Sequence, residues 1–278
     1  MARASCLCGD VTWRFEQPPR FMVHCHCGRC RKAHGTAFAT YVGGAGRDVV
    51  LAATSSRTVF NSSPGFARAF CARCGSVVAT GAGDEVRAPA GCFLEDPGIR
   101  PQAHIFVGSN PAWFDLHDAL PRYEAHREDL PTLPDRPPLD PPGPARGSCL
   151  CGAVAYVIEG TPLRAYHCLC GRCQRARAAA HASNLFAAVD GVRFTRGADH
   201  LTLYKLPQAQ HFSQAFCRTC GSKMPRLDAA RGMAIVPMGG LDDEPGVRPQ
   251  RYIFTDDTAA WFDVPADGLP RDATYPTA

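Results

Sequence analysis

Residues 70–76 read FCARCGS and residues 216–222 read FCRTCGS, so the same cysteine-rich turn occurs twice in the chain. Two cysteines separated by two residues can both ligate one tetrahedral ion, and the glycine that follows permits a left-handed backbone. Each turn therefore indicates a zinc knuckle, which needs two further thiolates to close its site. A Cys-x-Cys pair near the start of each half can supply them. We predict two structural zinc sites, formed by Cys6, Cys8, Cys71 and Cys74 and by Cys149, Cys151, Cys217 and Cys220.

The other cysteines extend this repetition over most of the 278 residues. The chain has 15 cysteines, and the first five, from Cys6 to Cys30, recur 143 positions later. The two knuckles are 146 positions apart, and the sequence WFD at residues 113–115 recurs 148 positions later at residues 261–263. These separations far exceed the length of a solenoid repeat. The sequence therefore predicts a duplicated domain.

A proline-rich segment separates the two copies. Seven prolines lie between Pro131 and Pro144, inclusive. Proline fixes φ and has no backbone N–H donor, which excludes this segment from the centre of a sheet and from the interior of a helix. We predict a first domain at residues 1–126, a proline-rich linker at 127–145 and a second domain at 146–278, called the first and second repeats below.

The composition excludes several classes of protein. Basic and acidic residues nearly balance, with a net charge of +4, and no run of lysine and arginine exceeds two residues. Nucleic-acid binding needs a concentrated basic face, so we expect no nucleic-acid partner. No uncharged apolar run approaches the roughly 18 residues of a membrane-spanning helix. The first ten residues contain no apolar segment typical of a secretory signal. We therefore expect a cytoplasmic protein, without a membrane partner, whose cysteines bind metal rather than form disulfides.

The pattern of apolar residues predicts a mainly β fold with few short helices. Val11, Trp13 and Phe15 alternate with polar residues, which is typical of a half-buried strand. Further strands are predicted at residues 38–42, 49–52, 58–60, 77–80 and 103–107. Helices are predicted at residues 29–34 and from 172 to about 180. We expect antiparallel sheets that metal sites hold together.

A second kind of cysteine cluster has three members in each copy: Cys25, Cys27 and Cys30, and Cys168, Cys170 and Cys173. Three protein ligands and one open position are the usual arrangement of a catalytic zinc. A closed structural site is the alternative, completed by His24 or His167, by His26 in the first copy, or by another cysteine. Cys92 has no counterpart in the second copy, so we expect a buried apolar role for it. With both kinds of cluster filled, the chain would hold up to four Zn²⁺ ions.

These motifs resemble those of the glutathione-dependent formaldehyde-activating family, which is abbreviated GFA. Its pattern of G-x-C-x-C-G, C-H-C-x-x-C-R and F-C-x-x-C-G-S is similar to residues 4–9, 25–31 and 70–76 here, and to residues 147–152, 168–174 and 216–222. The resemblance covers nearly all of both copies. It implies two tandem β-tent domains of twisted antiparallel sheets stapled by zinc. It also implies that the three-cysteine clusters hold the catalytic zinc.

The resemblance implies a carbon–sulfur lyase that joins formaldehyde to the thiol of glutathione, so the expected partners are a small-molecule aldehyde and a thiol. Three thiolates weaken the Lewis acidity of a zinc ion, which favours delivery of a bound thiolate over activation of the carbonyl. Arg29, Arg31, Arg68 and Arg73 are candidates to bind the carboxylates of glutathione, because guanidinium pairs with carboxylate in two-point contacts. A non-catalytic, zinc-stapled protein-interaction module is the alternative function.

The second copy departs from the family pattern after its three-cysteine cluster. The first copy has Gly35 and Thr36 there, where the second has Ala178 and Ala179. Alanine adopts a positive φ less readily than glycine, and it lacks the threonine hydroxyl. We therefore expect the first copy to be the more active one. The sequence leaves open whether the copies pack together as an internal pseudo-dimer or hang separately on the linker.

Overall fold

The computed structural model of the protein describes residues 1–52, 56–82, 84–125 and 144–276. Most of the linker predicted at residues 127–145 lies outside these ranges, so the domain boundaries stay predictions. The second repeat enters the described part of the chain just before a strand at Ala145–Ser148.

The described part of the first repeat consists of short strands and one helix of seven residues, α1 (Gly28–His34). The strands are β1 (Ala2–Ser5), β2 (Thr12–Phe15), β3 (Phe21–Cys25), β4 (Ala39–Ala45), β5 (Val49–Ala52), β6 (Arg57–Ser63), β7 (Phe66–Cys71), β8 (Val77–Val78), β9 (Thr80–Ala82), β10 (Glu85–Pro89), β11 (His104–Ile105) and β12 (Arg122–Tyr123).

The second repeat has the same plan, with helix α2 (Gly171–Arg177) at the position of α1. Its strands are β13 (Ala145–Ser148), β14 (Ala155–Ile158), β15 (Arg164–Cys168), β16 (Ala182–Ala188), β17 (Val192–Arg196), β18 (Leu201–Lys205), β19 (Ser213–Cys217), β20 (Lys223–Met224), β21 (Arg226–Asp228), β22 (Met233–Pro237), β23 (Tyr252–Ile253) and β24 (Arg271–Asp272).

Within the described residues, each repeat forms one six-stranded sheet and two three-stranded sheets. In the first repeat the strand orders are β12-β11-β3-β4-β10-β9, β1-β2-β5 and β6-β7-β8. In the second they are β21-β22-β16-β15-β23-β24, β13-β14-β17 and β18-β19-β20. The mainly β prediction is confirmed. The pairing is antiparallel except that β11 lies parallel to both β3 and β12, and β23 lies parallel to both β15 and β24.

Side-chain alternation explains both the core and the position of the metal clusters. In β2, Trp13 and Phe15 are buried while Arg14 is exposed, as the sequence predicts. In β3, His24 pairs with Thr40 of β4 and points to one face of the large sheet. The next residue, Cys25, therefore points to the opposite face. The three-cysteine cluster lies on that second face, packed against Tyr41 and Ile105.

Several predicted element ends differ from the structure because of positive φ angles. The strand predicted at residues 103–107 is only His104–Ile105, since Phe106 has a φ of 59°. The helix predicted to reach about residue 180 ends at Arg177, since Ala178 has a φ of 55°. Gly35 ends α1 in the same left-handed conformation with a φ of 70°. Alanine therefore adopts the conformation that glycine holds in the first repeat, at a steric cost.

The two repeats contact each other through reciprocal elements. Gly239 of the second repeat lies against the end of α1, where an added Cβ would be 2.4 Å from the carbonyl oxygen of Arg31. Gly91 of the first repeat lies against the end of α2, where an added Cβ would be 2.2 Å from the backbone nitrogen of Ala179. Only glycine allows such close backbone approaches. The matching contacts relate the two repeats by an approximate twofold axis.

Polar groups also join the two repeats. Lys32 Nζ lies 2.6 Å from an oxygen of Asp242, and both side chains are largely buried. Gln214 donates to the carbonyl oxygen of Cys74 at 2.8 Å, and the fully buried Lys223 donates to the carbonyl oxygen of Gly75. Within the described ranges, no helix is long and apolar enough to cross a membrane.

Candidate metal centres

The first four-cysteine cluster joins two turns that are distant in sequence. Cys6 and Cys8 follow β1, while Cys71 and Cys74 lie at and just after the end of β7. Their four Sγ atoms lie within 4.8 Å of one another, with 3.5 Å between Cys6 and Cys8 and 3.6 Å between Cys8 and Cys71. A disulfide would need about 2.05 Å. Tetrahedral zinc with Zn–S distances near 2.3 Å places its sulfurs about 3.8 Å apart, so this cluster fits zinc.

The second four-cysteine cluster has the same geometry. Its sulfurs are 3.4 Å apart between Cys149 and Cys151 and 3.7 Å apart between Cys151 and Cys217, and Cys220 completes the group. The backbone N–H of Val154 donates to Cys149 Sγ at 3.2 Å. In the first cluster Val11 donates to Cys6 Sγ at 3.3 Å. Such donors favour the thiolate form that binds metal.

Each three-cysteine cluster is built at the start of a helix. Cys25 ends β3, Cys27 caps the N-terminus of α1 and Cys30 lies in its first turn. Cys27 Sγ accepts from the backbone N–H of Cys30 at 3.4 Å, and Cys170 accepts from Cys173 at the same distance in the second repeat. Among the described residues, no fourth histidine, cysteine or carboxylate joins either cluster.

The histidines and the extra cysteine considered as a fourth ligand have other partners. His24 Nδ1 contacts Thr40 Oγ1 at 2.8 Å, and His167 Nδ1 contacts Ser183 Oγ at 3.0 Å. Both ring nitrogens of His26 are engaged, with Asn110 Oδ1 and with His104 Nδ1, each at 2.8 Å. Cys92 is buried, with its sulfur 3.6 Å from the carbonyl oxygen of Val77.

The three thiols of the first three-cysteine cluster lie so close together that they shift one another's pKa values in opposite directions. Hydrogen bonds with Cys27 and Cys30, together with burial, raise the pKa of Cys25 well above its usual value. Hydrogen bonds from Cys25 and Cys27, followed by the charge of Arg68, hold the pKa of Cys30 well below it. One thiolate is thus favoured at the expense of its neighbours. Three thiolates at this spacing need a cation between them, and this donor set fits zinc.

A buried arginine contacts the sulfur of Cys30. Arg68, which is 7% exposed, places Nη2 3.3 Å from Cys30 Sγ and donates from Nη1 to the hydroxyl of Tyr41 at 3.0 Å. That hydroxyl also lies 2.9 Å from His34 Nε2. Tyr41 and His34 carry no spacing signal in the sequence, because their contacts depend on the register of β4 and on the turn of α1.

The second three-cysteine cluster has different neighbours. Gln214 occupies the position of Arg68, but its side chain is directed to Cys74 instead. Arg177 occupies the position of His34 and donates to Asn184 Oδ1 at 2.9 Å, and Asn184 occupies that of Tyr41. Phe212 packs against this cluster, and all three cysteines are buried. In the first cluster Cys27 is only half-buried.

The four arginines predicted to bind a thiol substrate lie in different places. Arg68 is the one that contacts the first three-cysteine cluster. Arg73 is paired with Asp10 at 2.8 Å, beside the first four-cysteine cluster. Arg29 and Arg31 lie on α1 and are half-buried.

A phenylalanine with strained backbone lies beside each three-cysteine cluster. Phe106 and Phe254, at equivalent positions, both have a φ of 59°, and each packs against the cluster of its own repeat. A bulky residue at positive φ is rare, and such strain often marks functional sites. Spacing in the sequence cannot reveal it.

Comparisons with known proteins agree with the motifs. A family model described as "Glutathione-dependent formaldehyde-activating enzyme" matches residues 1–109 and 144–257. Among solved structures, the chain is similar to a crystal structure of a Rhodobacter sphaeroides protein, with 30% sequence identity and a TM-score of 0.29. That similarity covers 37% of this chain and 91% of the other. No curated protein matches this chain.

Proposed function

Because the chain belongs to the glutathione-dependent formaldehyde-activating family, we propose that it is a zinc-dependent enzyme of the carbon–sulfur lyase type. Its substrates are a small aldehyde similar to formaldehyde and a thiol similar to glutathione. The observation that carries this proposal is the set of three converging cysteines to which the described residues add no fourth ligand. A zinc ion held by these cysteines would lower the pKa of a thiol that binds to it and so favour the thiolate.

The reaction is an addition that needs no oxidant or reductant. The thiol sulfur forms a bond to the carbonyl carbon, and the π electron pair of the carbonyl moves to its oxygen. The thiol proton ends on that oxygen, which gives a hydroxymethyl thioether. The chain must therefore favour the thiolate and hold the aldehyde beside it.

Residues of the first repeat serve these tasks. Cys25, Cys27 and Cys30 hold the ion, and Arg68 offsets negative charge on Cys30 in a buried setting where charges interact strongly. Arg29 and Arg31, which lie on α1, bind carboxylates of the thiol substrate in this proposal.

We assign the reaction to the first repeat. The second three-cysteine cluster has a glutamine, Gln214, in place of Arg68, and its side chain is directed to the carbonyl oxygen of Cys74. The guanidinium contact that Arg68 makes with Cys30 is therefore missing at the equivalent position. A metal ion held by Cys168, Cys170 and Cys173 therefore has a structural role in this proposal.

Cysteine-to-serine variants test the assignment. Cys30→Ser should lower the rate of hydroxymethyl thioether formation by about 100-fold or more, since loss of a ligand costs at least as much as loss of a supporting contact. Cys173→Ser should lower this rate much less than Cys30→Ser does. The rate is measured by exchange NMR with labelled formaldehyde and glutathione, after subtraction of the uncatalysed reaction.

Stability measurements separate catalysis from scaffolding. Cys74→Ser, in the first four-cysteine cluster, should lower the thermal midpoint much more than Cys30→Ser does. Cys92→Ser lies outside every cluster and should retain activity. If Cys30→Ser keeps full activity, or unfolds as readily as Cys74→Ser, the three-cysteine cluster is structural and an interaction module becomes the better explanation.

A further inference from the structure

A chain of buried hydrogen bonds runs from the first three-cysteine cluster to the backbone of the second repeat. His34 Nδ1 lies 2.8 Å from the carbonyl oxygen of Arg177. A carbonyl oxygen only accepts hydrogen bonds, so the proton of the neutral His34 ring is on Nδ1. His34 Nε2 must then accept from the hydroxyl of Tyr41, which leaves the oxygen of Tyr41 to accept from Arg68. Arg68 donates its other amino group to Cys30 Sγ. Each hydrogen bond of this series thus has a defined donor and a defined acceptor.

We propose that the second repeat completes the site of the first, because the carbonyl of Arg177 fixes His34, and His34 and Tyr41 in turn hold Arg68 against Cys30. The catalytic meaning of this arrangement rests on the proposed function. His34 and Tyr41 are positioning residues, since they act on the cluster through Arg68. The second repeat contributes a backbone carbonyl to the site of the first. It can therefore be necessary for activity even though its own cluster is not catalytic in this proposal.

The end of helix α2 makes this carbonyl available. Arg177 is the last residue of α2, and the last carbonyls of a helix have no partner within it. Ala178 turns the chain into the left-handed conformation, and its N–H bonds to the carbonyl of Gln174. The carbonyl of Arg177 is then free of the helix ladder and bonds to His34 across the boundary between the repeats.

This series of hydrogen bonds connects the second repeat to the first cluster, and no equivalent series connects the first repeat to the second cluster among the described residues. The corresponding residues of the second repeat are Arg177, Asn184 and Gln214, which replace the histidine, tyrosine and arginine of the first. Arg177 and Asn184 bond to each other, while Gln214 is directed to the carbonyl of Cys74. Neither of these two contacts repeats the link from a guanidinium to a cysteine sulfur. The first cluster therefore depends on the second repeat in a way that the second cluster does not share.

The physical role of Arg68 follows from charge. Three thiolates and one Zn²⁺ sum to −1, and a bound substrate thiolate makes the group more negative. A guanidinium beside Cys30 offsets this charge, and its effect is large because Arg68 is buried. Arginine has many rotamers, so a defined position requires that its donors have fixed acceptors. Tyr41 supplies that acceptor only while His34 accepts the hydroxyl proton.

Tyr41→Phe is the decisive variant. It removes the hydroxyl group that links His34 to Arg68 in the series of hydrogen bonds, and it leaves every cysteine in place. Tyr252→Phe is the matched control, since it removes another buried tyrosine hydroxyl, which donates to Asp267 in the second repeat. The first measurement is the rate at which zinc passes from the full chain to a chelator, with bound metal counted by native mass spectrometry. We expect one zinc per chain to leave about tenfold faster in Tyr41→Phe, and at the native rate in Tyr252→Phe.

A second measurement uses Co²⁺ in place of Zn²⁺ and follows the thiolate-to-cobalt absorption while glutathione is added. Tyr41→Phe should weaken glutathione binding about tenfold, and Tyr252→Phe should not. His34→Leu should match Tyr41→Phe, and the double variant should be no worse than either single one, because both break the same chain. His34→Gln retains an acceptor for Tyr41 and should recover part of the loss.

The two measurements distinguish failure of this inference from failure of the proposed function. Equal zinc release by the native protein, Tyr41→Phe and His34→Leu would overturn the inference, whatever the protein catalyses. If no added thiol changes the absorption spectrum of the cobalt-substituted native protein, the proposed function is overturned. In that case, faster zinc release from Tyr41→Phe would still support the positioning of Arg68 by the second repeat.

Discussion

Six histidine side chains among the described residues are almost fully buried, and five of them have strongly lowered pKa values and are neutral in the folded protein. Burial is the largest cause that lowers their pKa values, to about 3 for His26 and His34, to about 4 for His181, and well below the usual value for His24 and His167. In the unfolded chain these groups titrate near 6.5. Unfolding therefore takes up protons below that pH. Their contribution to stability is complete above pH 6.5 and is lost as the pH falls toward the folded pKa values.

The contribution of one of these histidines, His181, can be tested separately. This residue occupies the position of Phe38 in the first repeat, and its Nε2 has no hydrogen-bond partner among the described residues. His181→Phe should therefore remove about 2 kcal/mol of the stability that the native protein loses between pH 7 and pH 5. Urea unfolding at several pH values in this range measures the difference.

The reverse substitution provides the control for His181. Phe38→His introduces a second buried histidine at the equivalent position and should steepen the loss of stability toward pH 5. Loss of metal at low pH affects both variants alike, so it cancels in the comparison. Parallel stability curves for the native protein and both variants would show that these positions do not contribute through protonation.

At this scale the sequence predicts the cysteine clusters better than their surroundings. The cysteines are recognisable because ligands of one ion recur at short, fixed spacings. Arg68 is a sequence candidate, but for a substrate carboxylate rather than for contact with Cys30. His34 and Tyr41 carry no spacing signal, since one bonds to the other repeat and the other reaches the cluster through the register of β4.

At the scale of elements, each four-cysteine cluster links sheets that are too small to be stable alone. The first cluster joins the turn after β1 to the turn after β7, and these strands belong to different three-stranded sheets. A small sheet buries little apolar area, so a metal site can supply much of its stability.

Removal of metal should therefore loosen the small sheets first. Chelation is expected to increase amide hydrogen exchange in β1, β2, β7 and β8 by about tenfold or more before it affects β3 and β4. Exchange followed by mass spectrometry, with and without chelator, measures this order. Equal increases in all strands, or none in the small sheets, would contradict a clamping role for the four-cysteine clusters.

Element positions follow from the sequence more closely than element ends do. Alternation of apolar residues places β2 correctly, the strand predicted at residues 38–42 overlaps β4, and the segments after the three-cysteine clusters are helical as predicted. The ends at Phe106 and Ala178 are missed because neither residue type favours a positive φ. Tertiary contacts impose these conformations, so local propensity cannot reveal them.

For the whole molecule, the close contacts at the boundary between the repeats lead us to propose that the copies act as an internal pseudo-dimer. Gly239→Ala tests this boundary, because a Cβ there would lie within 2.5 Å of backbone atoms of Arg31 and Thr36. Backbone at this distance cannot move aside as a flexible side chain can. We expect Gly239→Ala to lower the free energy of unfolding by about 3 kcal/mol, measured by urea denaturation.

Two further variants complete this test of the boundary. Gly91→Ala makes the reciprocal clash with Ala179 and should cost a similar amount. Gly81→Ala is the control, since its Cβ would be 3.4 Å from the nearest atom, a methyl group of Val86. A Gly239→Ala protein as stable as Gly81→Ala would mean that the repeats do not pack through α1.

The duplication itself is visible in the sequence, whereas the arrangement of the copies is not. Cysteine spacing reveals the repeat because it needs only intervals within one chain. Packing of Gly91 and Gly239 against the opposite helix becomes evident only from three-dimensional distances.

Fusion of the two halves in one polypeptide has a consequence for how their boundary can change. In an assembly of two identical chains, every substitution at the axis appears twice and meets its own copy. Here each position near the axis can change alone, and the pairs Phe38 and His181, His34 and Arg177, and Val77 and Lys223 have already done so. Covalent linkage also keeps the halves at high local concentration, so such asymmetry does not cost association. One repeat can thereby specialise in support while the other keeps the chemistry proposed for it.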